Sequence, residues 1–121
     1  MEDKILTNHL GGPLYLSREL FVRLTEDKNK LGAVNLLDEL FSNPDEVWQL
    51  ELEEPRYVWR YVKFYQEGVL FGIVDLADIS ELRIADWYFM DHDPDDPDAN
   101  AQSAAIDAQR TGILKRKYVK K

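Results

Sequence analysis

Two cations stand in the middle of an aromatic run. Residues 56–65 read Arg-Tyr-Val-Trp-Arg-Tyr-Val-Lys-Phe-Tyr, with Arg60 and Lys63 inside. An extended chain sends alternate side chains to opposite faces. Arg60 therefore shares a face with Val58, Val62 and Phe64, and Lys63 shares the other with Tyr57, Trp59, Tyr61 and Tyr65. A cation on a rigid strand is suited to holding a phosphate. The same side chains also pack their stems on Tyr or Trp and keep the charge in water, which needs no ligand. One phosphate site can use only one of the two directly. The face that the helices cover decides which.

A second basic group, Arg110 with Lys115, Arg116 and Lys117, follows near the other end of the sequence. On a strand Lys115 and Lys117 share a face and Arg116 opposes them. A charged edge strand that resists aggregation has the same pattern. Residues 91–98 hold five aspartates, Asp91, Asp93, Asp95, Asp96 and Asp98. Their alternation suggests calcium, but an EF-hand loop needs Gly at its sixth position and Glu at its twelfth. Those positions are Asp96 and Gln102. The stretch reads as a solvated acidic loop, and no metal or other cofactor is expected. His9 and His92 fall in predicted loops, where either could move a proton. Neither has a spacing partner, so both read as bystanders. No phosphate loop, dinucleotide fingerprint or metalloprotease helix is present.

Strands must position these groups. Residues 56–65, 69–74 and 82–89 are rich in aromatic and β-branched residues and are separated by turn residues, which predicts three consecutive antiparallel strands. Gln66-Glu67-Gly68 is the predicted hairpin turn, with Gly68 free to take positive φ. Upstream, residues 1–12 read as a loose lead-in ending at Gly11-Gly12-Pro13, and Leu14-Tyr15-Leu16 as a short edge strand. Ser17 is a helix N-cap ahead of Leu20, Phe21 and Leu24. A second helix is predicted over about 31–41, with Val34, Leu37, Leu40 and Phe41 as its apolar stripe. Asn43 and Pro44 read as the cap and first position of a further helical turn. Gln49 to Glu53 alternates as a half-buried strand. Ala99 to Gln109 reads as weakly helical or disordered, and Gly112 permits a bend into a last strand.

The chain has 121 residues, 45% hydrophobic and 31% charged, which fits one globular domain. Within it, 91–109 is an acidic and Ala/Gln-rich loop insertion. No cysteine is present, which excludes disulfides, thiolate nucleophiles and sulfur-ligated zinc. No run approaches the roughly 18 apolar residues of a membrane span. The acidic opening does not read as a signal peptide, so a cytoplasmic protein is expected. Net charge is −8, unevenly placed: six of the 15 basic residues lie in the last 12 positions. Residues 1–109 are left with 9 basic against 23 acidic groups, a net of −14. A basic segment favours phosphate, whereas the acidic body repels it at long range.

The order of these elements carries a resemblance. N-terminal helices lead to Asn43-Pro44-Asp45-Glu46-Val47-Trp48. A strand with Arg60-Tyr61-Val62-Lys63, two more strands, an irregular loop and Arg110-Thr111-Gly112-Ile113-Leu114 follow. The arrangement resembles the phage-associated nuclease-like domains grouped with barnase, EndoU, colicin E5/D and RelE. Leu14-Tyr15-Leu16-Ser17 fits as well, and the likeness covers most of residues 14–118. It implies an α+β fold in which N-terminal helices pack on a four- to five-stranded antiparallel sheet. It also implies metal-independent RNA cleavage, in which the ribose 2′-hydroxyl attacks the adjacent phosphate. Sheet residues there supply base, acid and cationic stabilisation. By position Lys63 and Arg110 match the family's cationic groups, and Asp86 is the candidate polar group on the third strand. Arg60, Lys115 and Lys117 would support substrate binding. Family members often carry a histidine in or after the first helices, and Thr25 to Lys30 has none.

A different class of function fits the charge. An immunity protein, antitoxin or phage-encoded inhibitor would present Asp91, Asp93, Asp95, Asp96 and Asp98 to a basic, nucleic-acid-binding surface of a protein target. The two expectations are therefore an RNA-directed nuclease-like domain and an acidic binding protein.

Overall fold

The computed structural model describes residues 3–53 and 56–116. One seven-stranded sheet runs through them in the order β1-β2-β6-β5-β4-β3-β7. Its centre is the antiparallel meander β4 (Arg56–Tyr65), β5 (Gly68–Asp75) and β6 (Arg83–Asp91). Every residue of β5 from Gly68 to Val74 is buried, as its unbroken apolar sequence requires of a strand covered on both faces. Gly68 is needed for space and not for positive φ. A Cβ there would lie 2.3 Å from the Met90 carbonyl oxygen and 2.7 Å from the Phe89 ring.

The sheet is larger than the four or five antiparallel strands expected, and it is mixed. Residues 1–12 are not all lead-in. They hold β1 (Lys4–Thr7), which pairs antiparallel with β2 (Pro13–Leu16). Asn8 builds the turn between them: its Oδ1 accepts from the Leu10 and Gly12 amides at 2.8 and 3.1 Å. Gly11 there takes φ +86. β2 then lies parallel to β6 at Tyr15 and Arg83, which makes the sheet mixed. On the other side β3 (Glu46–Glu53) pairs with β4, and β7 (Ile113–Arg116) adds to β3 as an edge. Asn43 caps the end of a helix and Pro44 leads straight into β3, so no further helical turn forms there.

The helices are short. α1 (Arg18–Leu24) starts at Ser17, whose hydroxyl accepts from the Leu20 amide. α2 (Lys28–Gly32) starts at Asp27, whose carboxylate accepts from the Asn29 and Lys30 amides. A 3-10 turn (Val34–Leu36) and α3 (Leu37–Ser42) divide what the periodicity predicts as one helix. These elements cover one face of the sheet, packing Leu37, Leu40 and Phe41 on Tyr61, Leu70, Val74 and Trp87. Gly72 permits that approach, since a Cβ would lie 2.5 Å from the Phe41 ring. The opposite face carries a smaller cluster, Val62, Val69 and Phe71, covered by Ile106 of α4 (Ala99–Gln109). The Ala/Gln-rich segment is thus an ordered helix laid on the sheet. Among the described residues no helix is long and apolar enough to cross a membrane.

Candidate active site on the α4 face of the sheet

Strand registers decide which chemical groups meet. Trp48 stands opposite Arg60, Glu46 opposite Val62, and Val62 opposite Phe71, which itself pairs with Tyr88. These side chains therefore share the face that α4 covers. Arg60 is only 9% exposed and Glu46 3%. Burial of a charged group is costly unless a partner compensates. Glu46 has one: Arg110, just past the end of α4, donates from Nε to Oε1 at 2.6 Å and from Nη2 to Oε2 at 2.7 Å. The Trp48 indole donates to the same Oε1 at 3.2 Å. This bidentate bond raises the already high pKa of Arg110, and the guanidinium also lies 5.3 Å above the Phe64 ring.

Arg60 is placed differently. Its Nη1 donates to the main-chain carbonyl of Gln109 at 2.7 Å, and its Nε has no partner. Among the described residues no carboxylate lies within ion-pair distance of it. The Tyr88 hydroxyl donates to the Gln109 side-chain oxygen at 2.8 Å. Burial raises the Tyr88 pKa, with the neighbouring Arg60 charge opposing part of the rise. The result is a buried carboxylate, two guanidiniums and a protonated phenol on one rigid sheet face. Such a set can take up a proton, donate one and stabilise an anion.

Lys63 is not part of it. By register Lys63 stands opposite Leu70, on the face of α1–α3. Its Nζ donates to the Asn43 carbonyl at 2.7 Å, with Glu39 and Asp45 carboxylates at 3.7 and 3.9 Å. The sheet therefore separates Lys63 from Arg110. Asp86 is paired with Lys30 of α2 and accepts from the Trp87 amide. Lys115 is exposed on the edge strand β7, and Lys117 lies outside the described residues. Asp91, Asp93, Asp95 and Asp98 are exposed. The Asp93 and Asp96 carboxylates accept from the Asp95 and Asp98 amides, which tightens the loop locally. That loop borders a groove of about 740 Å³ with Glu67, His92 and Gln102. Among the described residues no group of three or more His, Asp or Glu is arranged to hold a metal.

His9 is better connected than its sequence context predicts. The β1–β2 turn carries it onto the helix-covered face, where Nδ1 is 2.6 Å from the Tyr61 hydroxyl. Its ring meets the Trp59 and Tyr61 rings edge-on at 5.0 and 5.1 Å. The other groups missing from the sequence reading are Glu46, Tyr88 and Gln109. Treating 46–53 as one continuous strand would have placed Glu46 two residues from Trp48 on the face of Arg60. The Asn-Pro-Asp punctuation suggested a helical turn instead.

A family model described as phage-Barnase-EndoU-ColicinE5/D-RelE like nuclease2 matches residues 1–117. No curated protein and no solved structure matches the chain.

Proposed function

The chain belongs to this family of phage nuclease-like domains, and from that premise we propose that it cleaves RNA on the α4 face of its sheet. The observation that carries the reading is the buried Glu46 carboxylate, gripped by Arg110 beside Arg60 and Tyr88. When Arg110 turns from Glu46 to the phosphate, the freed Glu46 carboxylate takes the proton of a ribose 2′-hydroxyl. The 2′-oxygen attacks the adjacent phosphorus, the bond from phosphorus to the 5′-oxygen breaks, and the departing oxygen takes a proton from water, since Tyr88 stands three strands from Glu46 and meets the nucleotide further along. Arg60 and Arg110 offset the charge that builds on the phosphorane. Lys115, on the neighbouring edge strand, supports the RNA backbone. No metal enters this scheme, so cleavage proceeds in chelator.

The test is incubation of the purified protein with single-stranded RNA and tRNA in chelator. Cleavage that Glu46→Gln slows by about 10²–10⁴ supports the roles assigned. Absence of cleavage at high protein concentration rules out the enzyme.

A second reading rests on the open acidic groove lined by Glu67, Asp91, Asp93, Asp95 and Asp96. In it the domain is an acidic binding protein that occupies a basic, nucleic-acid-binding surface of a protein target. A pull-down from host lysate tests this. The idea fails if the partner survives 1 M salt, where the Debye length is about 3 Å. It also fails if the partner persists after the five aspartates become asparagine.

A further inference from the structure

Arg60 poses a physical question that the fold does not answer. The residue is only 9% exposed, its Nε is unpartnered, and among the described residues its side chain meets only neutral oxygens, the Gln109 carbonyl and the Tyr88 hydroxyl. A buried cation without a carboxylate is destabilising, and an anion with two oxygens is the ligand a guanidinium fork fits best. The group that occupies this position is the end of α4. A helix C-terminus carries partial negative charge on its free carbonyls, which makes it a weak imitation of an anion.

The rest of α4 is lightly attached. Its one buried residue is Ile106. No side-chain bond caps its N-terminus, and its first and last turns hold no acidic or basic residue to favour its ends, although Asp98 and Arg110 flank them. It is flanked by the aspartate loop on one side and by Gly112 on the other. Gly112 has φ +106, and a Cβ there would lie 2.3 Å from the Gln49 carbonyl oxygen, so the chain is fixed to β3 at this point. Besides Ile106 and Gln109, the side-chain bonds that hold this segment are few among the described residues: Gln102 to the Asp93 amide and Ser103 to His92 toward the loop, and Arg110 to Glu46 at its far end. Beneath it lie Trp48, Phe64, Phe71 and Tyr88, with the Phe71 and Tyr88 rings stacked at 5.2 Å. Aromatic surface beside arginines is what binds single-stranded nucleic acid, through base stacking and phosphate contact.

We propose that α4 is an internal stand-in for RNA. Gln109 presents its main-chain carbonyl to Arg60 where a phosphate oxygen binds, and its side-chain amide to Tyr88 where a polar edge of the nucleotide binds. This rests on the RNA reading above and adds to it a closed state in which the helix and the substrate compete for the same contacts. The aspartate loop completes the imitation by keeping negative charge beside the covered face.

The experiment uses the full chain and a short single-stranded oligoribonucleotide with 2′-O-methyl sugars, whose blocked 2′-oxygen cannot attack the phosphate. Ala104 and Ala105 are exposed on α4. The double variant Ala104→Gly/Ala105→Gly weakens the helix through the low helix propensity of glycine and touches no sheet contact. Affinity is read by fluorescence anisotropy and opening by hydrogen exchange of the α4 amides. Expected are loss of α4 protection on RNA binding, about tenfold tighter binding by the double variant, and loss of binding in Arg60→Gln. If the double variant opens α4 but gains no affinity, while Arg60→Gln abolishes wild-type binding, the stand-in is overturned and the RNA reading survives. If α4 is open and neither protein binds, the RNA reading itself falls and takes the stand-in with it.

Discussion

The two faces of the sheet solve burial in opposite ways. The face under α1–α3 is closed by interlocking apolar side chains: Phe41 sits over Gly72, and Trp87 is fully buried with its indole donating to the Lys30 carbonyl at 2.9 Å. Its charged groups stand at the margins and are paired, Lys63 with Glu39 and Asp45, and Lys30 with Asp86. The α4 face has one buried helical side chain and places Glu46 and Arg60 among aromatics. The first arrangement is what stability requires. The second sacrifices packing for a set of polar groups, the usual signature of a site and not of a core.

The largest effects should therefore fall on the helix-covered face. Trp87→Ala removes a fully buried indole and should cost about 3–5 kcal/mol. Ile106→Ala on the other face should cost no more than about 2 kcal/mol, the low end for such truncations, because α4 can settle into the gap. Urea midpoints measure both. Equal losses would erase the contrast between a locked face and a covered one.

Next in size is Glu46→Gln. The amide cannot hold the Arg110 fork as a carboxylate does, and the partner guanidinium is left incompletely satisfied. Arg110 is about one-third exposed, at 32% for its side chain. Water therefore compensates part of the loss, and we expect about 1–3 kcal/mol. A change within ±0.5 kcal/mol, typical of ordinary surface sites, would mean that the pair is an incidental contact.

The separation of the faces was partly legible in the sequence. Strict alternation along 56–65 placed Arg60 and Lys63 back to back, and the register bears out that placement. Ser17 and the aromatic meander were equally readable, because caps and period-two patterns are local signals. The wider sheet was not readable. β1 is a four-residue strand whose place depends on a side chain, Asn8, folding its own turn. The parallel contact of β2 with β6 joins residues far apart in the sequence and leaves no periodic trace. Positional matching put Lys63 and Arg110 at one phosphate. Which face a residue after a helix returns to is set by tertiary packing, and α4 brings Arg110 to the face opposite Lys63.

Arg60→Met sharpens the contrast further, because stability and binding should part. Methionine fills a similar volume without a charge, and replacing a buried unpaired cation in this way is often neutral or stabilising by about 1 kcal/mol. Nucleic-acid binding should disappear in the same variant. A destabilisation above about 2 kcal/mol would instead mean that the fold itself needs the Arg60 charge, so that no outside anion is required to account for its burial.

The smallest effect is a pH dependence at the edge of the locked face. Burial, and then the Glu39 carboxylate 3.2 Å from its hydroxyl, push the Tyr65 pKa from 10.0 up to about 12. Between these values the unfolded chain has lost a proton that the folded chain keeps. Stability must then fall as pH rises from 10 to 12, since the unfolded state binds fewer protons there. Tyr61 and Tyr88, raised chiefly by burial, add to the fall. Tyr65→Phe removes one contributor and should make the decline shallower, without changing its onset. Urea midpoints across this range, compared between Tyr65→Phe and the wild type, measure it. Identical slopes would show that neither burial nor the Glu39 contact holds the Tyr65 proton in solution. The polar margin of the helix-covered face would then be looser than its core.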